Sequence, residues 1–110
     1  MNIDTLNRNY TQILKPEELK RVKIKIDNEK NEVLVYANVH DYSVREANAF
    51  LERLIKLSRD SLHLVVNHGF NRGHAIKDFL SETKINYRIV WQTKSRKNPG
   101  LTHMGIRAIA

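Results

Sequence analysis

The chain has 110 residues, 41% hydrophobic and 28% charged, a size and balance that suit one globular domain with one core. It has no cysteine, which excludes disulfides, thiolate nucleophiles and thiolate metal sites, and it has neither an apolar run of spanning length nor a hydrophobic signal core near its start. A formal charge of +7 favours a polyanionic partner, nucleic acid foremost, and the expected setting is the cytoplasm with no membrane partner.

In chain order, Met1–Leu14 lacks a clean period and reads as an arm, so residues 1–20 are set apart from a domain over 21–110. Lys15-Pro16-Glu17-Glu18 can open a short helical turn, because proline suits the first helical position and acids suit the N-terminal dipole. Val22, Ile24 and Ile26 alternate with Lys23 and Lys25, predicting a strand with one wet face near a sheet edge, where lysines deter mispairing. The polar run Asp27–Asn31 turns the chain into a second strand, EVLVYANVH, and the two form a hairpin. The second strand is apolar enough for burial on both faces, and its period of two sets Leu34, Tyr36, Asn38 and His40 on one side.

Ser43-Val44-Arg45-Glu46 matches a capping box, and Val44, Ala47, Phe50, Leu51, Leu54 and Leu57 continue from it as the apolar stripe of a helix. Leu62–Val66 is a short apolar strand, so strand, helix and strand here imply a right-handed crossover and a parallel pair. A second helix is predicted over Gly73–Glu82, a strand over Tyr87–Gln92 and a last strand over Leu101–Ile109. Basic and aromatic residues interleave between Lys84 and Lys97, a composition able to neutralise phosphate and stack on bases. Tyr87, Ile89 and Trp91 alternate on one strand face and read as core, whereas Lys94, Arg96 and Lys97, in the loop before Asn98-Pro99-Gly100, read as phosphate contacts. The fold class is α/β.

His40 and His68 end the two strands of the parallel unit, which puts both at the carboxyl edge of the sheet, where open α/β folds place their ligands. After His68, Gly69 allows a turn or a close approach, and amides over 69–75, with Gly73 opening the helix, suit an anion. Arg72 adds a guanidinium suited to phosphate, and the His68 imidazole can donate a proton to a leaving oxygen. His63 and His103 lie within strands and His74 in a first helical turn. No pair of histidines has chelating spacing with carboxylates nearby, so neither a metal nor a cofactor is expected.

These segments resemble the Smr (small MutS-related) domain. Its D-L-H-G box stands here as Asn38-Val39-His40-Asp41, its capped helix begins at Ser43, its H-G-x-G-x-G box reads His68-Gly69-Phe70-Asn71-Arg72-Gly73, and its N-x-G-x-T segment reads Asn98-Pro99-Gly100-Leu101-Thr102. The likeness covers roughly residues 33–109. It implies a two-layer α/β sandwich, with two helices on a mostly parallel four-stranded sheet of order β-α-β-α-β-β, to which this chain adds an N-terminal strand. It also implies nucleic-acid binding, DNA or RNA, and in several members an endonuclease activity. On these positions the catalytic residues would be His40 and His68. Asn38, Asp41, Gly69, Asn71, Arg72, Gly73, Lys94, Arg96 and Lys97 would line the site or touch the nucleic-acid backbone. The family's acidic residue is Asn38 here, which can hydrogen-bond but cannot act as a base, and its glycine is Asp41. The expected function is an Smr-like nucleic-acid-binding domain, and in its catalytic version a metal-independent endonuclease of DNA or RNA in which His40 and His68 share the acid and base work. The alternatives are a non-catalytic module for RNA or ribosomal surfaces and a protein-interaction domain that keeps only the scaffold.

Overall fold

The computed structural model describes residues 3–69 and 74–109. Among them four helices and five strands follow in the order α1 (Ile3–Ile13), α2 (Pro16–Leu19), β1 (Val22–Asp27), β2 (Glu32–Asn38), α3 (Val44–Lys56), β3 (Leu62–Asn67), α4 (His74–Glu82), β4 (Ile89–Lys94) and β5 (Leu101–Ile106). The strands form one open sheet in the order β1-β2-β3-β5-β4.

The hairpin forms, with Val22 opposite Ala37 and Asp27 opposite Glu32, and Asn31 takes the left-handed conformation (φ 51°) that its turn requires. The parallel pair forms as well, with Leu34 opposite His63 and Asn38 opposite Asn67. The mostly parallel four-stranded sheet does not. Beyond Asn98-Pro99-Gly100 the chain reverses, and β5 inserts between β3 and β4, antiparallel to both. β5 therefore separates two strands that the α4 crossover leaves running the same way, and the result is a mixed sheet of five strands. Four helices, not two, accompany it.

The sheet contributes to the core from one face. Val33, Val35 and Ala37 of β2, Leu62, Leu64 and Val66 of β3, and Met104 and Ile106 of β5 join Phe50, Leu51, Leu54 and Ile55 of α3 and Ile76 and Leu80 of α4. On the opposite face β2 is only half-buried at Leu34, Tyr36 and Asn38, so the expectation of burial on both faces gives way to alternation. β4 departs further from its expected pattern. A register shift between Ile89 and Trp91 makes Val90 an extra residue, so Ile89 enters the core while Trp91 turns to the other face. Tyr87 lies before the strand and is exposed.

The segment expected to be an arm is the helix α1, whose Leu6 and Tyr10, with Leu14 beyond it, recur every four residues and are buried in the same core. The Tyr10 hydroxyl donates to the Leu54 carbonyl at 2.9 Å, and Asn9 Nδ2 donates to the Leu57 carbonyl at 3.0 Å. Both acceptors sit at the C-terminal end of α3, where helical carbonyls lack intrahelical partners. No helix among the described residues is long and apolar enough to cross a membrane.

Candidate functional site

Because β2, β3 and β4 run in one direction and β1 and β5 in the other, the carboxyl ends of the first three meet the starts of the other two along one edge. Residues 38–42, 67–69 and 94–102 come together there, and Arg21 joins them from the start of β1.

At the end of β2 the Asn38 carboxamide oxygen accepts from the His40 backbone amide at 3.2 Å and from His40 Nδ1 at 2.5 Å. The side chain thus turns the chain and holds the imidazole of the exposed His40 through Nδ1, and Nε2 has no hydrogen bond among the described residues. Asp41 lies in that turn, and its carboxylate faces Arg21 through bonds of 2.5 and 2.9 Å. Arg21 also donates to the Asn38 carbonyl at 3.2 Å and lies 4.2 Å over the Tyr42 ring. Its guanidinium beside Asp41 holds that carboxyl down at about 2, so Asp41 is a fixed anion and a brace for the turn. Sequence reasoning missed Arg21. Nothing local marks it, since its partner is twenty positions away.

His68 is placed differently from the expectation. It is fully buried, with Nδ1 at 3.0 Å from the Gly69 carbonyl and Nε2 at 2.9 Å from Thr102 Oγ1. Nδ1 carries the proton, because a carbonyl can only accept, and Nε2 then accepts from the threonine hydroxyl. Burial lowers its pKa, with Lys77 and His74 adding to the effect and the Gly69 carbonyl opposing it. In this arrangement His68 ties the turn to β5 and presents no ring nitrogen to solvent.

Gly69 has φ +83°, and a Cβ there would sit 3.2 Å from His40 Cβ. A Cβ at Gly100 would in turn stand 3.2 Å from the Gly69 carbonyl carbon, and the Gly100 carbonyl accepts from the amides of His68 and Gly69 at 3.0 and 3.3 Å. His40, Gly69 and Gly100 are therefore stacked in contact. Gly69→Ala is expected to cost about 1–2 kcal/mol for the left-handed backbone alone and to push the His40 ring aside. A urea melt reads the first effect, and the shift of the His40 ring protons in an NMR spectrum reads the second.

Lys94, expected in the loop, is the last residue of β4, while Arg96 and Lys97 stand on the loop that Gly100 closes; all three are exposed, and none makes an ion pair among the described residues. Asn98 shapes that loop by accepting from the Gly100 amide at 3.0 Å. Asn71, Arg72 and Gly73, expected on phosphate, lie outside the described residues. No protein-family model, curated protein or solved structure matches the chain. Among the described residues no group of three or more His, Cys, Asp or Glu could hold a metal ion.

A second histidine cluster, unforeseen from sequence, lies on the open face of the sheet. His63 Nε2 is 2.8 Å from His103 Nδ1, and His63 Nδ1 is 3.2 Å from Glu32 Oε1. Glu32 accepts from His63 Nδ1, so His63 Nε2 accepts from His103. Burial, then His63, lowers the His103 pKa. His68 and His103 both resist protonation in the fold, while the unfolded chain takes up those protons near the ordinary value of about 6.5. Stability is accordingly expected to be complete above that pH and to decline as pH falls from about 7 toward 5. The slope is at most about 1.4 kcal/mol per pH unit per histidine. Urea unfolding at stepped pH checks this, and His103→Gln should flatten part of the slope.

Proposed function

We propose that this chain is an Smr-like nucleic-acid-binding domain that holds a phosphate backbone along the carboxyl edge of its sheet. The observation that carries this reading is the contact of His40, Gly69 and Gly100, because it joins three of the segments on which the resemblance rests. Gly100 also closes the loop beside Lys94, Arg96 and Lys97, which make no ion pair among the described residues, an arrangement suited to neutralising phosphates. The core on one face of the sheet is compatible with the two-layer sandwich of that family, and the cytoplasmic setting goes with the same reading.

The test is a binding isotherm for labelled DNA and RNA at several salt concentrations. Affinity should fall steeply with salt. The triple variant Lys94→Ala, Arg96→Ala, Lys97→Ala should make the logarithmic salt slope shallower by about 2–3, the value for three lost phosphate contacts. An unchanged slope would sink the assignment of this loop.

The Asn38–His40 bond favours a second reading, an endonuclease. An imidazole anchored at Nδ1, with no partner for Nε2 among the described residues, can move a proton at a phosphodiester, as a general base on an attacking hydroxyl or a general acid on a leaving oxygen. With His68 enclosed, His40 would do this alone, and neutral Asn38 would orient it without adding charge. Cleavage gels with magnesium and with chelator decide between the readings. Cutting lost in His40→Ala makes the domain a nuclease, and shifted but intact substrate in every lane leaves it a binding module.

A further inference from the structure

The sheet face opposite the helices carries an ordered set of aromatic and basic side chains. In register across it lie Leu34, His63, Gly105 and Trp91 in one row, and Lys23, Tyr36, Val65, His103 and Thr93 in the next. Gly105 explains the position of the tryptophan. A Cβ at Gly105 would overlap the indole, so the bare backbone lets the ring lie across β5 and meet His63 edge to face at 5.1 Å between centroids. Trp91 is 44% exposed there, beside a hollow bounded by Glu32, His63 and Arg107.

The charges on this face favour an anionic occupant. Lys23 and Lys25 are exposed and make no ion pair among the described residues, and Lys25 Nζ lies 5.5 Å from the centre of the Tyr36 ring. At the end of the sheet away from His40, Arg107 lies 5.4 Å over the ring of exposed Tyr87. The two carboxylates bordering the face are engaged locally, Glu32 with His63 and Asp27 with the amides of Glu29 and Lys30. Aromatic faces can stack only on bases that are splayed out. A duplex keeps its bases paired and stacked inside, whereas a single strand presents them.

We propose that this open face is a stacking platform for single-stranded nucleic acid, with Trp91 on a base and Lys23 and Lys25 on phosphates. The proposal rests on the nucleic-acid reading above and deepens it, since it names the strandedness and a second surface.

Trp91 is the single tryptophan of the chain, so its fluorescence reports on this face alone. The protein is titrated with oligouridylate, with oligothymidylate and with a duplex of equal length, following tryptophan emission together with the anisotropy of the labelled oligonucleotide. Single strands are expected to quench the emission and to bind more tightly than the duplex. Trp91→Ala should weaken their binding roughly 5- to 150-fold, the range for loss of one base–aromatic stack, and Trp91→Phe should recover part of it. The double variant Lys23→Ala, Lys25→Ala keeps the indole and should weaken binding with a shallower salt dependence. Binding seen by anisotropy with unchanged emission and full affinity in Trp91→Ala would overturn the platform and leave the carboxyl-edge reading standing. Preference for the duplex would overturn it too, and absence of binding to every oligonucleotide would end both.

Discussion

Arg88→Ala is expected to lower the unfolding free energy by about 3–5 kcal/mol, a large share of the total for a domain of this size. Arg88 is 2% exposed and has no carboxylate partner among the described residues. Among the described residues its guanidinium donates only to main-chain carbonyls: Ile55 and Ser58 at 2.7 Å each, Arg107 at 2.9 Å and Asp60 at 3.3 Å. Ile55 lies in the last turn of α3 and Ser58 just beyond its end, so one side chain closes that helix and fastens it to the strand pair β4 and β5. Burial lowers the guanidinium pKa, yet an arginine keeps its charge, and its hydrogen bonds are of the stronger, charge-assisted kind. Alanine would leave those carbonyls buried without a donor. A chemical-denaturation curve measures the loss, and the thermal midpoint should fall by more than about 10 °C. Arg88→Lys, with a single ammonium in place of a five-donor fork, should recover only part. A cost below 1 kcal/mol for alanine would mean that water replaces the guanidinium.

Tyr10→Ala is the second large effect, at about 3–5 kcal/mol, against about 1–2 kcal/mol for Tyr10→Phe. The ring is 1% exposed, and its hydroxyl is held by Leu54, with burial raising the phenol pKa well above its ordinary value. Phenylalanine keeps the packing and orphans one carbonyl, while alanine also opens a cavity between α1 and α3. Denaturation of the two variants separates these contributions. Were residues 1–14 an arm outside the core, both substitutions would stay within about 0.5 kcal/mol.

Those two residues mark where the sequence was hard to read. Arg88 stands in a basic run and looks like a surface cation, because its acceptors are carbonyls and carbonyls have no side-chain identity. Tyr10 shares a spacing of four with Leu6 and Leu14, but the polar residues between them dilute the stripe. The α3 start, in contrast, was fully legible. Glu46 N donates to Ser43 Oγ at 3.1 Å and Ser43 N to Glu46 Oε1 at 3.0 Å, both partners lying within one turn. The candidate site divides in the same way. That His40 and His68 end adjacent parallel strands followed from the strand-helix-strand order, but which imidazole meets solvent depended on Thr102, thirty-four positions away.

The sequence by itself determined the α/β class, the hairpin, the parallel pair and the meeting of the His40 and His68 segments at one edge. Each follows from hydrophobic period, a cap or a turn residue, and those act over a few positions. Tertiary structure alone decided that β5 inserts between β3 and β4, that the extra residue at Val90 turns Trp91 to the open face, and that α1 joins the core. It also decided that Arg88 and His68 are enclosed while His40 is not. Such outcomes depend on which distant backbone groups and apolar surfaces find partners once the layers pack, and no local pattern encodes that choice.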